Sequence, residues 1–308
     1  MRMRAIIVER FGPPEVLVPA TVPDPAPGAG EALIEVAIAN VTFVETQVRA
    51  GRPPHPAMAP ALPAILGNGV GGTAGGRRVV ASLGGSGGYA ERAVAPAAAL
   101  IDVPDGLGLP EAVALLADGR TALSLLRAAA VRPGETVLVE AAAGGVGSLL
   151  VQLARAEGAR VVAAAGGVRK LALAAELGAD AGVDYGEPGW DERAEPVDVV
   201  FDGVGGAIGR AAFGLLRAGG RFSAYGMASG TFTRITDDEA AACDVTIVRG
   251  GPLSPDELRA LQWEALAAAA AGRLRPVIGQ TFALERAADA HAAIEARATV
   301  GKTLLTVR

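Results

Sequence analysis

The sequence predicts an α/β protein with three stretches: a β-rich N-terminal region, a doubly wound parallel sheet, and a return to strands. Three observations carry this. Residues 1–110 hold short alternating segments separated by Gly and Pro clusters. From residue 136 onward, apolar strand runs alternate with segments of helical period, the pattern of a parallel sheet covered by helices. Beyond residue 271, strand character returns at 277–282 and 303–307, with one helix near 285–295 between them.

Taken in order, the first strands are expected over 4–8 and just after the Gly12-Pro13-Pro14 turn. EALIEVAIA at 31–39 alternates as a half-buried strand does. A short helix is expected over 41–50, stopped by Gly51 and the Pro53-Pro54 pair. Residues 51–76 are rich in Pro and Gly, and strands follow over 77–82 and 89–94. The character changes near Leu109, where 110–117 and 121–130 read as helices. Strands are then expected over 136–140, 160–164, 197–201, 221–225 and 245–248. Helices are expected from 146, over 168–177 with Gly178 as its stop, and over 208–216. Ser254-Pro255-Asp256-Glu257 is a capping box that starts a helix running to about 271.

Composition narrows the function classes. A hydrophobic fraction of 51% over 308 residues is ample for a large core, and a charged fraction of 20% argues against disorder. The net charge of −5 and scattered Lys and Arg argue against nucleic acid or an anionic membrane as partner. Cys243 is the one cysteine, so no intramolecular disulfide can form, which suits a reducing compartment. MRMRAIIVER has too short an apolar run for a secretory signal, and no uninterrupted apolar stretch of ~18 residues occurs. A soluble cytoplasmic protein is expected.

The chemistry starts at 136–158, TVLVEAAAGGVGSLLVQLARAEG. An apolar strand runs into the turn A-x-G-x-x-G formed by Ala142, Gly144 and Gly147, and Val146, Leu149, Leu150 and Leu153 then recur at helical spacing. Such a unit binds the pyrophosphate of a dinucleotide: Gly144 removes a Cβ from its path, Gly147 allows close strand–helix packing, and the helix start offers N–H groups. A purely structural β-turn-α unit is the alternative. A site for NADH carries an acid at the end of the second strand, but that strand ends Ala163-Ala164-Ala165-Gly166-Gly167. Arg169 and Lys170 follow at once and suit a 2′-phosphate, which favours NADPH. The same two cations read equally as a solvated helix start. Tyr185 follows the next strand and either flanks that phosphate or is a half-buried loop residue.

A catalytic zinc needs three ligands, and one Cys with two His, placed in different regions, do not supply them. No metal is expected. His55, in a Pro-rich loop, and His291, on a C-terminal helix, are both expected at the surface. No G-x-S-x-G elbow precedes a helix.

Together these segments resemble the zinc-independent quinone oxidoreductases, the zeta-crystallin-like branch of the medium-chain dehydrogenase/reductase superfamily. The resemblance runs through FGPPEVL, VTFVETQVRAG at 41–51, GGYAERAV at 87–94, DGRTAL at 118–123, AAAGGVGSLLVQLAR, FDGVGG at 201–206, YGMASG at 225–230 and ARATVGKTLL. It implies a GroES-like β-rich catalytic domain over 1–112 and 272–308, with a Rossmann NADPH-binding domain over 113–271 inserted in it and an active site in the cleft between them. It implies a homodimer through the last Rossmann strand at 245–248. It assigns the cofactor to Ala143, Gly144, Gly145, Val146 and Gly147, to Gly166, Arg169, Lys170 and Tyr185, and to Gly203, Val204, Gly226, Met227, Ser229, Arg297 and Lys302. Two departures stand out. Cleft tyrosines of the family are matched by Gln47 and Pro53, and GNGVGGTAGGRR at 67–78 is shorter than the family's strand–hairpin–strand region.

The expected activity is NADPH-dependent, zinc-independent hydride transfer to a quinone or similar conjugated carbonyl. Thr42, Gln47 and Thr121 are the candidates for positioning the acceptor; structural polar packing explains each equally well. Reduction of a 2-alkenal or enoyl substrate and a non-catalytic NADPH-binding role are the alternatives.

Overall fold

The computed structural model describes residues 1–251 and 253–307. The chain divides into two compact units, Met1–Ala117 with Gln262–Arg308, and Asp118–Leu261.

The first unit opens with β1 (Arg2–Val8), β2 (Val18–Pro23) and β3 (Glu31–Val41), followed by α1 (Phe43–Arg49). Short strands β4 (Ala64–Ile65), β5 (Gly69–Ala74), β6 (Arg77–Ser82), β7 (Arg92–Pro96) and β8 (Ile101–Asp102) lead to the long helix α2 (Leu109–Ala129). Among the described residues, β1 pairs with β2 and β4, and a larger sheet runs β15-β16-β3-β5-β6-β8 with β7 also on β3. The segment 67–78 folds as a closed hairpin. Ala74 pairs with Arg77 across Gly75-Gly76, whose φ values of 55° and 78° suit the two-residue turn that matches strand twist.

The second unit alternates strand and helix: β9 (Thr136–Glu140), α3 (Gly145–Ala156), β10 (Arg160–Ala165), α4 (Val168–Glu176), β11 (Ala181–Asp184), β12 (Val197–Asp202), α5 (Gly206–Phe213), β13 (Leu216–Ala224), α6 (Asp237–Ala242) and β14 (Thr246–Ile247). Its sheet is parallel throughout, in the order β11-β10-β9-β12-β13-β14. The order reverses between β9 and β12, the arrangement of a Rossmann domain. The central strands are apolar along their whole length because helices cover both faces: every residue of β9 is buried.

Helix α7 (Pro255–Ala270) leads the chain back to β15 (Ile278–Ala283), α8 (Ala287–Glu295) and β16 (Lys302–Thr306). Strand β16 pairs antiparallel with β3, Thr303 opposite Val41, so the C-terminal tail completes the first unit's sheet. The Rossmann domain is therefore inserted in a GroES-like, β-rich domain. The two divisions fall inside α2, after Ala117, and inside α7, after Leu261.

Three sequence expectations are corrected. Residues 110–117 and 121–130 form one helix, α2, running through Asp118-Gly119-Arg120. A mid-helix Gly costs about 1 kcal/mol against Ala, and buried Ala112, Leu115, Leu116, Ala122 and Leu126 outweigh it. Strand β13 begins at Leu216 rather than at 221, because Leu216 already pairs with Val197 before an irregularity in the register.

His291 is the third correction: it is fully buried. It shares one face of α8 with Ala287 and Ala290, all three buried at the i, i+3, i+4 spacing of a core-facing stripe. The Tyr89 hydroxyl donates to Glu45 Oε2 at 3.1 Å and lies 3.0 Å from His291 Nε2. Burial, then the charge of Arg49, pushes the imidazole down to about 3. It is neutral at neutral pH and joins α8 to the rest of its unit.

That depression has a testable sign. The unfolded histidine titrates near ~6.5, so the neutral ring's contribution is complete above that pH and is lost as pH falls toward 3. The loss is at most about 1.4 kcal/mol per pH unit. Urea unfolding of His291→Gln, which keeps a polar partner for Tyr89 but cannot be protonated, should lose stability less steeply between pH 7 and 4 than the wild type. Parallel profiles would show that His291 does not carry this dependence.

Candidate functional site

The site is built at the C-terminal edge of the parallel sheet, in the turn after β9. The first residue of the turn, Ala141, is left-handed with φ 48°, at a cost of order 1 kcal/mol. The turn is tied down by two backbone bonds, Ala142 N–H to Ala164 O at 3.2 Å and Gly144 N–H to Ala141 O at 2.7 Å. A Cβ on Gly147 would overlap the Ala141 carbonyl oxygen and sit 3.0 Å from Ala142 Cα, so only glycine lets α3 start this close to the strand. A Cβ on Gly144 would meet only Ala141. A Cβ on Gly145 would run into the carboxylate of Asp118 on α2, a constraint the fingerprint alone does not show. The first N–H groups of α3 have no partner within the helix and point along its positive end. This is the geometry that receives a pyrophosphate.

The loops after β12 and β13 come to the same sheet edge. Ser229 N–H donates to Val204 O at 2.8 Å and Gly226 N–H to Asp202 O at 3.1 Å, so Gly203, Val204, Gly226, Met227 and Ser229 form one layered loop pair. Beneath them lies a buried pair of acids that sequence reading did not single out. Glu140 Oε2 and Asp202 Oδ1 both accept the Val204 N–H, at 3.2 and 3.0 Å. Asp202 Oδ1 also accepts from Gly205 N–H at 2.6 Å. Both side chains are fully buried. Burial, then the neighbouring Asp202, pushes Glu140 up to about 10. It is held as the neutral acid. A glutamate closing the apolar run VLV was the signal in the sequence.

At the end of β10 the chain turns through Gly166 and Gly167 into α4. Gly167 has φ 89° and no side chain caps the helix. Arg169 is exposed and Lys170 half-buried. Tyr185 lies against Gly166, where a Cβ would be 3.3 Å from its ring. The end of β10 carries no carboxylate, as expected, but Asp184 at the end of the neighbouring β11 accepts Gly167 N–H at 2.9 Å and Gly186 N–H at 2.8 Å.

In the first unit, Thr42 caps α1: its Oγ1 accepts Glu45 N–H at 3.3 Å while Glu45 Oε2 accepts Thr42 N–H at 2.7 Å. Gln47 is buried and donates to Thr46 Oγ1 at 3.1 Å. Lys302 is buried, with its charge acting on the equally buried Glu45. Arg297 stands just past α8 with φ 54°. In the second unit, Thr121 is half-buried on α2. His55 is exposed, and its Nδ1 accepts Ala57 N–H at 3.2 Å. Cys243 is exposed at the end of α6. Among the described residues, no three of His, Cys, Asp and Glu are grouped to hold a metal ion, and no helix is long and apolar enough to cross a membrane.

The Glu140 carboxyl predicts a pH dependence opposite to that of His291. Its folded pKa lies above its ordinary value, so the stability of the neutral form is lost as pH rises from ~4.5 toward about 10. Glu140→Gln keeps the shape and stays neutral. Its melting temperature should change little between pH 6 and 9, while that of the wild type falls. An equal fall in both proteins would mean that the carboxyl is not held protonated.

Residues 177–305 match a family profile described as zinc-binding dehydrogenase. A quinone oxidoreductase from Pseudomonas aeruginosa is 31% identical over 96% of this chain and 97% of that protein. A 2-haloacrylate reductase from a Burkholderia species is 30% identical over 98% of each. The crystal structure of Escherichia coli quinone oxidoreductase complexed with NADPH superposes with a TM-score of 0.90 at 27% identity, covering 99% of this chain and 100% of that one. The chain belongs to the quinone oxidoreductase branch of the medium-chain dehydrogenase/reductase superfamily.

Proposed function

We propose that this protein is an NADPH-dependent, zinc-independent reductase that transfers hydride to a quinone or a similar conjugated carbonyl. The observation that carries the reading is the close β9–α3 turn, where Gly144 and Gly147 leave the start of α3 open to a pyrophosphate. The residues fit the cofactor. Gly144 to Gly147 would hold the pyrophosphate, Arg169 and Lys170 the 2′-phosphate, and the loops with Val204 and Met227 the ribose next to the nicotinamide. When bound, the dihydronicotinamide supplies the hydride.

The chain's own contribution is position and exclusion of water. A quinone accepts hydride without a Lewis acid, because its aromatic product spreads the charge, so the proposed reaction needs no metal ion. Thr42 caps α1 and Gln47 hydrogen-bonds within it, and with Thr121 they are the groups proposed to position the acceptor oxygen. Protons then come from water. A second reading, reduction of a carbon–carbon double bond conjugated to a carboxylate or carbonyl, is favoured by the likeness to the 2-haloacrylate reductase. A homodimer through β14, the outermost strand of the parallel sheet, and a cytoplasmic location belong to the same proposal.

Nicotinamide fluorescence should rise on mixing the protein with NADPH, and 1,4-benzoquinone or 9,10-phenanthrenequinone should then oxidise it. Turnover on 2-chloroacrylate or a 2-alkenal but not on quinones would select the second reading. Binding without turnover on any acceptor would leave a non-catalytic NADPH-binding protein, and absence of binding would remove the proposal. Lys170→Ala should weaken NADPH about tenfold or more and NADH little, as a charge-assisted bond to phosphate requires. Equal loss for both would take Lys170 out of the 2′-phosphate site.

A further inference from the structure

We infer that Asp184 is a specificity-determining residue that lowers the chain's preference for a 2′-phosphorylated dinucleotide over the plain one. The inference rests on the dinucleotide reading above and names a residue that neither the glycine fingerprint nor the cations after β10 include.

The placement comes from strand register. β11 runs parallel to β10, and Asp184 pairs with Ala165, the last residue of β10. In a sheet of this order the adenosine ribose sits at the end of the second strand, where an acid selects the 2′-hydroxyl. β10 ends in alanines and glycines, so it offers no acid of its own. The neighbouring strand delivers one to the same place. The Asp184 carboxylate bridges the β10–α4 loop and the turn after β11, with Oδ2 on Gly167 N–H at 2.9 Å and Oδ1 on Gly186 N–H at 2.8 Å. Gly167 is the residue from which α4 starts. One donor on each oxygen fixes the group and leaves each oxygen a further lone pair.

The electrostatic consequence follows from the charges that share this turn. Arg169 and Lys170 are the first cations of α4, and Asp184 is an anion held at its start. A 2′-phosphate carries nearly two negative charges, so it gains from the cations and loses to Asp184. A 2′-hydroxyl is neutral and can donate to a carboxylate. The same side chain therefore opposes one ligand and accepts the other. The loop is partly exposed, so screening limits the effect to about tenfold in the affinity ratio.

A merely structural role for Asp184, holding the two loops, would weaken both ligands alike, and that difference decides the test. Calorimetry on the full chain would measure 2′,5′-ADP and 5′-AMP binding to the wild type, Asp184→Asn and Asp184→Ser, with NADPH and NADH compared by fluorescence. The expected result is a rise of about tenfold in the ratio of 2′-phosphorylated to plain ligand in both variants, shrinking in 0.5 M salt. An unchanged ratio in a variant that still binds, with both ligands weakened equally, overturns the inference and leaves the dinucleotide site standing. Failure of the wild type to bind any of the four ligands overturns the dinucleotide reading itself, and the inference with it.

Discussion

The nucleotide-binding unit depends on how closely α3 can start to β9. The Ala141 carbonyl oxygen and Ala142 Cα fill the space where a Cβ on residue 147 would go. Any side chain there would push the helix start off the strand end. Three other features hang on that approach. Asp118 packs where a Cβ of Gly145 would be, so α2 could not keep its place if α3 moved. The left-handed Ala141 is tolerated because the Ala142 bond to Ala164 and the Gly144 bond to Ala141 fix the turn on both sides. The unpaired N–H groups of α3 then project from the sheet edge, where a phosphate can meet them.

The first unit shows a different constraint, a buried polar chain that joins segments far apart in sequence. Glu45 accepts from Thr42 N–H, from Asn68 N–H at 2.7 Å, and from the Tyr89 hydroxyl, which in turn meets His291. Arg49, fully buried on the same helix as Glu45, pairs with Glu295 at the end of α8. These links join α1, near the start of the chain, to α8, near its end. Breaking one partner would leave a buried charge or donor unpaired, which costs more than the bond itself contributes. Helix α8 is thus held by its own side chains, and the tail strand β16 by its ladder with β3.

What the sequence made legible follows from what a single chain can encode locally. Periodicity placed β9, α3, β10 and α4, and the spacing of Gly144 and Gly147 identified the turn, because each depends on neighbours within a few residues. The continuity of α2 was hidden, because Gly119 reads as a breaker until the buried leucines around it are known. His291 was misread because its surroundings come from β7's approach and from α1, although its spacing from Ala287 and Ala290 pointed inward. Glu140 and Asp184 were missed for a third reason. Glu140 matters through Asp202, on the strand beside its own, and Asp184 through Gly167, at the foot of the preceding helix. Strand order and register create those pairings, and neither is written in any one segment.

The acids at the C-terminal edge of the sheet raise a problem that their hydrogen bonds resolve. Glu140, Asp202 and Asp184 end β9, β12 and β11, so three carboxyls stand at an edge suited to an anion. Left charged and bare, they would oppose any phosphate brought there. Glu140 is instead held neutral, and so contributes no field. Asp202 faces inward and accepts from the N–H groups of Val204 and Gly205, which shapes the loop that crosses the edge. Asp184 alone is both charged and partly exposed, and it lies at the end of β10's neighbour rather than under α3. On the proposed reading, Asp118 stands against Gly145 at the start of α3, while the ribose end has Asp184 beside two cations. The proposal thus divides the work, with selection between dinucleotides made at the start of α4 and binding of either at the start of α3.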